Sequence, residues 1–273
     1  MSDIVLSSGV RSNLLQLQQT SDLITQTQTR LATGKRVNSA LDNPINYFTA
    51  QGLTVRANDL NSLLDSMSTG INTIQAANNG ISSITKLVQS AQSLVSQAQQ
   101  TTDTTVRATL ATQFNDMLSQ IDQLAEDSGI NGVNLLAGND LTITLNDSGS
   151  STVTINGVDY TNANGAPLSI ANAANNWAAS SDISTAATDL TGALTTLRSE
   201  SQALSSNLQT VQIRQDFTKA MVNTLNTGAD DLTLADSNEE GANLLALQTR
   251  QQLSTTALSL AAQADQNVLR LFQ

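Results

Sequence analysis

The chain has no cysteine and no histidine, only two prolines, and aromatic residues at 3% of its length, with a single tryptophan. Without cysteine there are no disulfides and no thiolate metal sites. Without histidine the commonest general base, zinc ligand and pH switch is gone. So few aromatic residues argue against a bulky globular core. Charged residues make up 13% of the chain, and the net charge is −11. Basic residues stand singly or as the one pair Lys35-Arg36, so the chain lacks the basic footprint of a nucleic-acid binder. No stretch reaches the roughly 18 consecutive apolar residues of a membrane span. The opening Met1-Ser2-Asp3-Ile4-Val5-Leu6 lacks the basic and apolar regions of a cleavable signal peptide.

What the chain does have is helical seams. Leu60, Met67, Ile74, Ile81, Val88 and Val95 keep a seven-residue beat, with Ile71 between them. From Leu190 the steps alternate four and three through Leu194, Leu197, Ser201, Leu204, Leu208, Val211, Gln215, Thr218, Val222 and Leu225. A repeat of this period turns one stripe of each helix toward a partner helix. The other faces are rich in Ser, Thr, Asn and Gln. Such neutral faces lose water against a neighbour at less cost than charged ones. The pattern describes a chain that associates along its length and is not built around a pocket.

Helix boundaries follow from local signals. Val10, Leu17, Ile24 and Leu31, with Leu14 between them, predict a helix over 10–33, stopped by Gly34 in a left-handed C′ position. Lys35 and Arg36 then lie near the negative end of the helix dipole. Asn43-Pro44 predicts an N-cap and a first helical residue, opening a helix to about Gln100, weakened near Gly52 and Gly70. A capped turn at Thr101–Thr105 leads to a third helix that ends before Gly129. Between 130 and 165 the period falls to two. Leu141, Ile143 and Leu145, then Val153 and Ile155, then Val158 and Tyr160 alternate with polar residues. The first two runs are joined by residues 146–150 and the second two by Asn156-Gly157, a strong hairpin signal. Residues 161–182, around Trp177, read as a surface excursion. Helix returns over about 184–227 and 236–271, the last carrying Leu253, Ala257, Leu260, Ala264, Val268 and Leu271 at steps of three and four.

The fold class that emerges is mainly α: a long antiparallel coiled-coil or bundle rod from the N- and C-terminal segments with a small central β-hairpin region. Its expected parts are 1–43 and 236–273 at the inner ends, 44–140 and 184–235 along the rod, and 141–183 as the hairpin and loop.

Motifs with chemical potential have simpler readings. Gly34-Lys35 lacks the glycine and hydroxyl partners of a phosphate loop, because Thr29 and Arg36 occupy those places. Asp236–Gly241 opens like a calcium loop, but Leu247 stands where a bidentate Glu closes the cage. Asp236 with Glu239 reads instead as a capping-box start. Trp177 reads as a packing anchor. No hydroxyl has a histidine to activate it and no carboxylate pair is placed for acid–base work. The expectation is therefore no enzyme, no cofactor and no metal.

Thr29-Arg30-Leu31-Ala32-Thr33-Gly34-Lys35-Arg36-Val37-Asn38-Ser39-Ala40-Leu41-Asp42 closely resembles the N-terminal signature of bacterial flagellins, chiefly at Arg30, Leu31, Gly34, Arg36, Asn38, Ser39, Ala40 and Asp42. Ala261–Leu271 looks like that family's C-terminal helix. Ile130-Asn131-Gly132-Val133-Asn134-Leu135-Leu136 is similar to the phrase that closes its N-terminal helical core. The resemblance covers about 1–140 and 184–273. Asn43-Pro44 replaces the second acidic residue and its follower, and the C-terminal signature is shortened and lacks its proline. The short middle and the Asp-Asn-Pro element resemble flagellins of alphaproteobacteria.

The resemblance implies a filament subunit, exported unfolded through the flagellar channel without cleavage and found outside the cell in the filament. Termini that are disordered in the monomer would pair in the filament core, using Val10, Leu14, Leu17, Ile24 and Leu31 with Leu253, Leu260, Val268 and Leu271. The implied partners are further copies of the chain, hook-associated and cap proteins, the export apparatus and an export chaperone, with no nucleic acid and no membrane. The junction protein between hook and filament, similar at both ends, is the alternative. Gln92-Ser93 stand where many flagellins carry charges read by the mammalian Toll-like receptor, which implies weak or no activation.

Overall fold

The structure is a computed structural model that describes residues 8–271. The side chains of 265 and 268–271 fall outside the description, so the Ile4-Val5-Leu6 cluster and the seam side chains Val268 and Leu271 lie beyond the described residues. Among the described residues, five α-helices, a short 3-10 turn at Ala174–Trp177 and one two-stranded sheet make the fold mainly α. The α-helices are α1 (Ser8–Thr33), α2 (Pro44–Gln100), α3 (Thr104–Glu126), α4 (Ser180–Thr233) and α5 (Ser237–Leu271). β1 (Leu141–Thr144) and β2 (Thr152–Ile155) form the antiparallel hairpin, with Ile143 opposite Val153.

The caps explain the boundaries. Asn43 Oδ1 accepts the Asn46 N–H at 3.1 Å ahead of Pro44. Asp103 caps α3 through Thr105 and Val106, and Asp236 caps α5 through Asn238 and Glu239. These bonds satisfy N–H groups that a helix start leaves orphaned. Gly34, at φ +68°, ends α1 in the left-handed conformation that a Cβ disfavours. Neither Gly52 nor Gly70 interrupts α2. α4 also runs on past Gly228 to Thr233, several residues beyond the end expected at 227.

The contacts divide the chain into two compact units, residues 1–55 with 224–273, and residues 56–223. The second is built on a continuous apolar cluster from α2, α3, α4 and the hairpin. Leu60, Met67, Ile71, Ile74, Ile81, Val88 and Val95 are all buried, as are Leu190, Leu194, Leu197, Leu204 and Val211. Ser68 bonds Gln215 and Asn78 bonds Ser201, so these stretches of α2 and α4 run antiparallel. A Cβ at Gly70 would overlap Ile143, which shows how closely the hairpin lies on α2. Arg56 fastens the hairpin loop through a 3.0 Å ion pair with Asp147.

The second expected hairpin does not form. Gly157 lacks the positive φ that an Asn-Gly hairpin turn requires. Its N–H instead donates to Asp140 Oδ1, and its bare Cα lies against the Asn139 backbone. Val158 and Tyr160 then pair with Leu135 and Leu136, so tertiary pairing overrides the local turn preference. Trp177 is fully buried, its ring centroid 4.9 Å from Phe114, in a turn where Asn175, Asn176 and Trp177 take left-handed backbone. Arg107 is buried beside it and donates to Thr101 O, Ala178 O and Ser180 Oγ, tying the C-terminal end of the excursion to the start of α3.

Helix hydroxyls are largely turned inward on their own helices. Thr54, Ser68, Thr85, Ser96, Thr191 and Thr195 each donate to the carbonyl four residues earlier.

Candidate functional site

The signature residues build a clasp between two turns of the first unit. After Gly34 the chain meets the end of α4, where Arg36 and Val37 N–H donate to Thr233 O and Ala235 N–H donates to Gly34 O. Lys35 and Leu234 form an isolated antiparallel bridge. Asn38 Nδ2 returns to Lys35 O at 2.9 Å. Asp42 Oδ2 accepts from the Asn38 and Ser39 N–H groups at 3.0 and 2.9 Å and from Ser39 Oγ at 3.2 Å. Those backbone donors, Ser39 first and Asn38 second, hold the Asp42 carboxyl below its ordinary range. Val37 is buried under the clasp, and Ala40 is half-buried.

The two terminal helices α1 and α5 pack antiparallel on each other. On α1 the covered positions are Val10, Asn13, Leu17, Thr20, Ile24, Thr27 and Leu31, and on α5 Glu240, Leu244, Leu247, Gln251, Ser254, Leu258 and Ala261. Both runs step by threes and fours, the signature of two helices meeting along one stripe. Arg30 locks the near end by a 2.9 Å ion pair with Glu240, which is buried.

The structure thus splits the residues expected to share one seam. Val10 is buried, and Leu17, Ile24 and Leu31 are half-buried against α5. Leu14 faces outward, and Leu253 and Leu260 are 67% and 63% exposed. Leu15, Leu23 and Leu245 are exposed as well, so large apolar side chains stand uncovered on more than one side of the helix pair. Sequence reasoning missed Thr20, Thr27 and Glu240 because none is apolar. The alternating steps from Glu240 through Ala261 were the signal that could have found the α5 stripe.

Other chemistry is sparse. Burial, and then the nearby Glu200 carboxylate, push the Tyr160 phenol up, and burial raises Glu200. Among the described residues no group of three His, Cys, Asp or Glu could hold a metal ion, and no helix is long and apolar enough to cross a membrane.

Known proteins agree with the signatures. The family described as the bacterial flagellin N-terminal helical region matches residues 8–140. The flagellin FljM of Caulobacter vibrioides is 31% identical, aligned over all of this chain and 99% of its own. A flagellin of Brucella melitensis is 27% identical over the whole of both chains. Among solved structures, a crystal structure of Bacillus cereus flagellin aligns with 57% of this chain and 88% of its own, at 21% identity and a TM-score of 0.47. On the full-length match to the Caulobacter relative, this chain belongs to the flagellin family and is a structural subunit of the bacterial flagellar filament.

Proposed function

We propose that the chain polymerises with copies of itself through α1 and α5, which line the innermost seam of the filament. The supporting observation is the set of uncovered leucines. Leu14, Leu15, Leu23, Leu245, Leu253 and Leu260 are exposed on a helix pair whose own shared stripe is occupied by other residues. So many exposed leucines on several sides of one helix pair suit a filament interior, where neighbouring copies cover the pair from more than one side. Burying each side chain contributes roughly 1.5–3 kcal/mol.

The α1–α5 stripe interrupts eight apolar positions with six polar ones, so the pair would be held less firmly in a free monomer than with neighbours packed on it. Family membership supports export through the flagellar channel without a cleaved signal peptide. It also supports hook-associated and cap proteins, the export apparatus and a chaperone as partners.

Removing about 30 residues from either end should leave soluble monomer that forms no filaments, because one half of the seam is gone. Leu260→Asp in the full chain should block assembly likewise, since a carboxylate would be buried unpaired at every subunit contact. Normal filaments from either protein, seen by electron microscopy, would refute the proposal.

A further inference from the structure

On α5 the positions Asn243, Ala246, Arg250, Leu253, Ala257 and Leu260 follow one another by threes and fours, and all are exposed. They form the flank beside the stripe that α1 covers. Arg250 is the one charge among them, and it makes no hydrogen bond or ion pair among the described residues. It lines a groove of about 300 Å³ together with Leu23, Arg30 and Glu240. Glu240 is already engaged by Arg30. The groove therefore carries one uncompensated positive charge in a chain whose net charge is −11. Covered by an apolar neighbour, such a guanidinium would be desolvated with nothing to replace its water. A carboxylate on the neighbour would replace that water and compensate the charge together.

We propose that Arg250 is a register key of the subunit seam, pairing with Asp22 of a second copy. This rests on the polymerisation reading above. Among the described side chains of α1 and α5 the acids are Asp22, Glu239 and Glu240. Glu240 is occupied, and Glu239 sits in the first turn of α5, where the helix dipole already favours it. Asp22 is exposed and unpartnered among the described residues, one heptad from the exposed Leu15. Its neighbour Leu23 lines the same groove as Arg250, so acid and base lie at similar levels along the pair. One polar pair in an apolar seam leaves a slipped register with an unmatched charge, which favours a single alignment. A guanidinium suits this role because its planar fork matches a carboxylate.

The test is seeded polymerisation of purified full-length protein, read by sedimentation and electron microscopy, with circular dichroism to verify folding. Arg250→Glu and Asp22→Arg should each lower the assembled fraction by about tenfold or more. Combining both substitutions in one chain should restore assembly, and Arg250→Lys should retain part of it. Normal assembly by both single variants overturns the proposal. So does a double variant that remains as defective as the singles. Failure of the unaltered chain to assemble on seeds would instead overturn the polymerisation reading.

Discussion

Arg30 near the end of α1 donates to Glu240 Oε1 in the first turn of α5 at 2.9 Å, with the carboxylate side chain 8% exposed and the guanidinium side chain 27%. The pair joins the N-terminal signature to the C-terminal helix across 210 residues of sequence. Arg30→Met should destabilise the protein by about 1–3 kcal/mol, less than a fully enclosed pair because water still reaches the guanidinium. Adding Glu240→Leu should recover most of the loss by removing the orphaned charge. Denaturant unfolding of the two variants checks this, and equal midpoints would count against it.

The Asp42 turn makes stability depend on acidity. Its carboxyl is held below the ordinary value of 3.8 by the folded backbone, so the unfolded chain takes up the proton first as pH falls. The stabilisation is complete well above 3.8 and is lost as pH falls through the lower folded value. Asp42→Asn should therefore be less stable than the parent at neutral pH, with the difference shrinking in acid. Unfolding midpoints across that range test it. A gap that widens in acid is the wrong sign.

Gly157→Ala should be among the most damaging single-methyl additions in the second unit. The new Cβ would overlap the Asn139 backbone rather than a movable side-chain tip. A cost of about 1–3 kcal/mol is expected from the forced shift. Hydrogen exchange should speed up at Val158 and Tyr160, whose N–H groups pair with Leu135 and Leu136. Unchanged exchange there would show that the loop absorbs the methyl freely.

Arg107→Lys keeps the charge but gives up the fork. A single ammonium cannot reach Thr101 O, Ala178 O and Ser180 Oγ together, so about 2 kcal/mol should be lost. Tryptophan fluorescence should respond, because Trp177 lies next to the tethered Ala178. An unaltered spectrum and melting curve would argue that one contact suffices.

Gln92 is half-buried and Ser93 exposed on α2, and neither supplies the charges of the receptor element in similar flagellins. Purified monomer should give weak or no signal in Toll-like receptor reporter cells. A robust response would mean that other residues are recognised.

Much of the fold was legible because apolar spacing and caps act locally. The beat from Leu60 to Val95 became the buried stripe of α2, and Asn43, Asp103, Asp236 and Gly34 mark helix ends. The terminal pair was harder to read. Leu253 and Leu260 mark an apolar face of α5, but their spacing does not say whether this chain or another covers it. The intramolecular stripe passes through Thr20, Thr27 and Glu240, whose burial depends on contacts more than two hundred residues away. Arg107 had no periodic marker, and the turn preference of Asn156-Gly157 gave way because its neighbours pair elsewhere.

The inward-bonded hydroxyls have a consequence for contact chemistry. A Ser or Thr that has given its only proton to its own helix presents lone pairs outward and nothing else. On α2 and α4 these Ser and Thr positions therefore present acceptors, set between Asn and Gln amides that can donate. Those hydroxyls can lie against another helix without stranding a donor, and they favour neighbours that offer N–H groups, such as the amides of Gln and Asn. Much of the specificity of a nearly charge-free surface can thus reside in the direction in which its protons point.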